Sequence, residues 1–85
     1  MILRLSKEFD ILYQNLPADV QKRTDKQLLL LLQNPHHPSL RIHKIEGYPD
    51  IWEMRVTTKI RITFQKKGET CILRKIGGHH ILKNP

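Results

Sequence analysis

The chain has 85 residues, with 15 Lys or Arg against 8 Asp or Glu and a formal net charge of +7 at pH 7. One domain over 1–85 is expected, burying only roughly 60–65% of its unfolded surface, and the positive excess selects polyanions or an acidic protein as partners. A single cysteine, Cys71, excludes an internal disulfide framework and fits a reducing compartment such as the cytoplasm; the longest apolar run, Leu28–Leu32, is too short to span a bilayer, and the opening Met1-Ile2-Leu3-Arg4-Leu5 turns polar at once, unlike a secretory signal.

Met1, Leu3 and Leu5 alternate with Ile2 and Arg4, which predicts a short opening strand. Ser6 is a good N-cap, and Phe9, Leu12, Tyr13 and Leu16 then fall on one helical face. Pro17 ends this helix and suits the start of a second, where Asp19 favours the helix dipole. The second helix carries Val20, Thr24, Leu28, Leu31 and Leu32 on one side and stops at Asn34-Pro35. Its five consecutive leucines cover more than one face, reaching a deep core or leaving a patch for a partner. His36-His37-Pro38-Ser39 reads as a loop without the partners of a zinc site. Leu40 to Ile45 reads as a strand and Gly47-Tyr48-Pro49-Asp50 as a turn. Three strands follow, at Ile51–Val56, Lys59–Phe64 and Cys71–Arg74, joined by links short enough for hairpins. The order is strand, two helices, then about four antiparallel strands. That is an α+β fold with the helices on one sheet face.

Side chains alternate between the faces of a sheet. Trp52, Met54 and Val56, then Ile60, Ile62 and Phe64, then Cys71 and Leu73 should face the helices. The opposite face then carries Glu53, Arg55, Arg61, Thr63, Gln65 and Arg74, with Ile72 and Ile76 as an apolar floor. Such a groove suits phosphate chemistry. A planar guanidinium at Arg61 could hold a phosphate and stabilise charge at a pentavalent phosphorus, or pair across the ladder with Glu53. Glu53 is a candidate base for a ribose 2′-hydroxyl. His79 and His80 follow Gly77-Gly78 at the strand end, where an imidazole could protonate a 5′-oxygen leaving group, or belong to a C-terminal tail. His43 and Lys44 are candidate groove or phosphate contacts, Arg55 and Arg74 candidate groove arginines. Cys71, on the core face, reads as a structural thiol. No phosphate loop, dinucleotide fingerprint or RNP-type aromatic pair is present.

The order and spacing of several segments resemble the RelE/ParE superfamily of bacterial toxins. They are Ser6-Lys7-Glu8-Phe9, Leu28 to Pro35, Leu40 to Gly47, Trp52-Glu53-Met54-Arg55-Val56, Ile60-Arg61-Ile62-Thr63-Phe64 and Arg74-Lys75-Ile76-Gly77-Gly78-His79. The closing Arg-x-x-Gly-x-His resembles the YafQ and HigB branch more than RelE itself. The resemblance implies a type II toxin that enters the ribosome and cuts mRNA through the 2′-hydroxyl, needing no metal or other cofactor. Its implied partners are an antitoxin protein, the ribosome and mRNA. It also implies that Arg61 contacts the phosphate, that His79 acts as acid or base, and that Arg74, His43 and Lys44 contact RNA. The family often has an acidic residue after the last histidine and an aromatic that stacks on a base. Here His80, Ile81, Leu82 and Lys83 follow. Two alternatives stay open: a ParE-like inhibitor of DNA gyrase, and a degenerate toxin that only binds its antitoxin.

Overall fold

A computed structural model describes all 85 residues. Strand β1 (Ile2–Leu5) leads into helices α1 (Lys7–Gln14) and α2 (Ala18–Gln33), followed by β2 (His43–Lys44), β3 (Ile51–Arg55), β4 (Arg61–Lys67) and β5 (Thr70–Gly77). A 3-10 turn at Pro38–Leu40 precedes β2, and a second at His79–Lys83 follows β5. The five strands form one sheet in the order β1-β5-β4-β3-β2. Strand β1 runs parallel to β5, and the other pairings are antiparallel. No helix is long and apolar enough to cross a membrane.

Local chemistry sets the joints. The Ser6 hydroxyl accepts from the Phe9 N–H at 3.0 Å, capping α1, and donates to the Arg74 carbonyl at 2.9 Å, pinning the helix start to β5. Gln21 donates to the Tyr13 carbonyl at 2.8 Å and the Tyr13 hydroxyl donates to Asp25 at 2.6 Å, locking α1 onto α2. Thr24, fully buried in α2, donates to the Val20 carbonyl at 2.8 Å, so its hydroxyl is satisfied. Gly68 takes a positive φ of 57° in the tight link between β4 and β5.

The core lies between the helices and one sheet face. Phe9, Leu31 and Leu40 meet Met54, Ile62, Phe64, Cys71, Leu73 and Ile76 there. Three expectations need correction. Leu32, expected on the buried side of α2, is 43% exposed, and Leu29 is 55% exposed. Leu31, expected on the same side, is in the core as expected, and Leu32 is left out because five leucines in a row exceed the arc a helix can bury against one sheet. The strand expected from Leu40 to Ile45 shrinks to His43–Lys44, because Pro38–Leu40 forms a 3-10 turn and Arg41 is left-handed at φ 47°. Ile76, expected on the outer face, is in the core. The cause is a β-bulge. Thr63 pairs with Lys75 but Phe64 pairs with Leu73, so Arg74 is an extra residue and alternation along β5 inverts beyond it.

Candidate functional site

Glu53 lies mid-strand on β3, opposite His43 on β2 and Thr63 on β4. Its residue is 6% exposed on the face away from the helices. A buried carboxylate needs a charged or hydrogen-bonding partner, and this one has two. Arg61 Nε approaches Oε1 at 3.1 Å, and His43 Nε2 approaches Oε2 at 3.3 Å. The other His43 nitrogen, Nδ1, lies 3.0 Å from the Arg41 carbonyl. Both ring nitrogens therefore face acceptors, which fixes the orientation of the ring.

Arg55 and Arg61 stand directly opposite each other across β3 and β4. Like charges so placed repel. Glu53 offsets Arg61 alone, and the Arg55 Nε is buried with no hydrogen-bond partner. Thr63, fully buried beside Glu53, also has an unpartnered hydroxyl. An excess of guanidinium over carboxylate around unsatisfied donors is an anion-binding arrangement. It borders an open cavity of about 610 Å3, lined by Arg41, His43, Glu53, Arg55, Arg61 and His79, with Leu82 as an apolar wall.

Five candidates from sequence thus meet in one cavity: Glu53, Arg61, His79, His43 and Arg55. Three do not. Lys44 pairs with Trp52 on the helix side of the sheet and lies 5.3 Å from the centre of its ring, because one residue of register separates it from His43. Arg74, at the bulge, donates to the Gln65 side chain and to the Pro85 carbonyl, both at 3.0 Å, and holds the C-terminal segment down. His80 lies over Gly77-Gly78, where a Cβ at either glycine would come within 3.4 Å of its ring. Cys71 is buried in the core, and burial pushes its thiol up to about 11 against the opposing pull of Lys66, so it is no nucleophile.

Two parts of the site had little signal in the sequence. Arg41 borders the cavity in a left-handed conformation that is uncommon without glycine, and its carbonyl orients His43. No pattern at Leu40-Arg41-Ile42 announces that kink. The second part is the C-terminal cover. The turn His79–Lys83 folds back on β4 and β5 with Ile81 buried, and the Tyr48 hydroxyl donates to the Lys83 carbonyl at 3.2 Å. Gly77 allows this, since a Cβ there would lie 2.9 Å from Ile81 Cγ2. The apolar run Ile81-Leu82 was the available signal. No Phe, Tyr or Trp borders the cavity.

No model of a known protein family matches the chain, and no curated protein matches it in sequence. Solved structures do resemble it in shape. The RelE of a RelB–RelE antitoxin–toxin complex from Methanococcus jannaschii superposes with a TM-score of 0.76 at 20% identity, covering 95% of each chain. YafQ from E. coli superposes at 0.73 with 13% identity over 94% of each chain. A YoeB/ParE toxin from Agrobacterium tumefaciens superposes at 0.75 with 15% identity, over 93% of this chain and 99% of that one. The strand, helix pair and bulged antiparallel sheet described above therefore constitute the fold of the RelE/ParE toxins.

Proposed function

We propose that this protein is the toxin of a type II toxin–antitoxin pair and that it cuts mRNA on the ribosome, with an antitoxin as its protein partner. The observation that carries the reading is the cavity in which Arg61 and His43 flank buried Glu53 while His79 borders the same space. The resemblance to toxin structures supports the first half of the reading, and the side chains support the second.

Arg61 uses Nε on Glu53, and it borders the cavity. With Arg55 it holds the scissile phosphate and stabilises the charge that builds on pentavalent phosphorus. His79, which borders the same cavity, takes the 2′-hydroxyl proton. The 2′-oxygen then attacks phosphorus. The bond from phosphorus to the 5′-oxygen breaks, and His43 gives that oxygen a proton. The products are a 2′,3′-cyclic phosphate and a 5′-hydroxyl. Glu53 positions both Arg61 and His43 in this scheme, a narrower role than that of the base itself. Residues 80–83 include no Phe, Tyr or Trp to stack on a base, so the ribosome provides much of the substrate orientation.

Inducing the chain in a bacterium, beside Arg61→Ala and His79→Ala, tests this. Growth arrest with in-frame mRNA cuts is expected for the wild type. Each variant should lose about 10²–10⁴-fold in cleavage, with His79→Ala unchanged in melting temperature. Arrest with intact mRNA would move the target to gyrase or another protein. Full toxicity in both variants would sink the assignment of residues, and no arrest would leave a fold that only binds its antitoxin.

A further inference from the structure

The groove does not end at Arg55. The same arginine borders a second, larger cavity of about 830 Å3 between α2 and the turn that follows β3. Lys22, Arg23 and Lys26 reach it from one stretch of α2, and His37 from the start of the Pro38–Leu40 turn. No carboxylate lines it. None of the ion pairs in the protein involves Lys22, Arg23, Lys26 or Arg55. Lys22 and Lys26 are one helical turn apart, where like charges repel. Asp25, the carboxylate nearest to them in sequence, is held by the Tyr13 hydroxyl at 2.6 Å. Lys22, Arg23 and Lys26 are exposed, so the cluster is a solvated cationic patch open to an external anion.

The position of Arg55 is fixed from the helix side. Gln27 on α2 donates to the Arg55 carbonyl at 3.1 Å, tying the end of β3 to the helix that carries the lysines. Arg55 is thus a wall common to both cavities, and its Nε, buried and unpartnered, has no role inside the protein.

We infer that the α2 cleft is a second binding site, for the phosphodiester backbone of the RNA strand whose scissile phosphate lies in the groove. This rests on the nuclease reading and adds a subsite to it. A continuous strand with one charge per nucleotide is the anion that matches two cationic cavities sharing one wall. An acidic peptide would fill the cleft without any need for that continuity.

The test uses single-stranded RNA made uncleavable by 2′-O-methylation, as a trinucleotide and as a dodecamer, with binding followed by fluorescence anisotropy across salt concentrations. The wild type should bind the dodecamer more tightly and with a steeper salt dependence. The double variant Lys22→Ala/Lys26→Ala should lose roughly ten- to thirtyfold on the dodecamer, with a slope flatter by about 1.4, and nothing on the trinucleotide. Equal binding of both lengths by the wild type overturns the proposal. So does a double variant that keeps wild-type affinity for the dodecamer, or one that loses only poly-glutamate binding, which would make the cleft a peptide site. The nuclease reading fails separately. Length-dependent binding that needs the lysines, together with intact mRNA in arrested cells, keeps the cleft as an RNA site and removes the cutting.

Discussion

On the helix side of the sheet, Met54, Ile62, Phe64 and Leu73 are fully buried among apolar neighbours. On the outer side, the same strands bury Glu53 and Thr63 beside Arg61, under a cover made of the C-terminal turn. The first face gains from removing apolar area from water. The second spends stability on a desolvated carboxylate, two facing arginines and two unpartnered polar atoms. Proteins hold such local conflicts where function needs them. The comparison therefore separates the face that makes the domain fold from the face available for chemistry.

The largest expected effect lies on the apolar face. Phe64→Ala should cost about 3–5 kcal/mol, a large part of the stability of so small a domain, and urea unfolding would read it. A loss below about 1 kcal/mol would mean that the core is not where the packing puts it.

Gly77→Ala probes the cover of the outer face. Its new methyl meets Ile81, so the turn must shift. A loss of about 1–3 kcal/mol is expected, seen as a melting point lower by ~4–8 °C per kcal/mol. Cleavage should fall as well, because His79 begins the displaced turn. An unchanged melting point with full activity would show that the cover does not set the site.

The thiol of Cys71 sharpens the contrast through pH. Burial raises it from 9.0 to about 11, so the folded state favours the neutral thiol. The stability this group contributes is complete below pH 9 and lost as pH rises towards about 11. Urea midpoints of the wild type and Cys71→Val should therefore converge or cross over that range. Parallel curves would contradict a dry environment around the sulfur.

The smallest effect is expected for Lys44→Ala. Lys44 lies over Trp52 on the helix side rather than in the groove. The change should stay within about 0.5 kcal/mol and leave cleavage intact. A strong loss of RNA cleavage would restore Lys44 as a contact.

Alternation and helical spacing determined much of this protein without further help. The strand, helix, helix, strand order follows from the period of the apolar residues, and so do the core faces of β3 and β4. The charged row on β3 and β4 was legible for the same reason. Once Met54 and Ile62 face inward, Glu53, Arg55 and Arg61 must face outward. Local sequence could not determine the rest. The bulge at Arg74 moved Ile76 into the core, because a single extra residue inverts alternation beyond it. The left-handed Arg41 and the two-residue β2 decided that His43 joins Glu53 while Lys44 does not. The folded-back C-terminal turn decided that His79 reaches the cavity and His80 packs on glycine. Each of these depends on contacts between residues far apart in the chain. Periodicity assigns a side chain to a face, but only tertiary packing brings faces, turns and termini to one point.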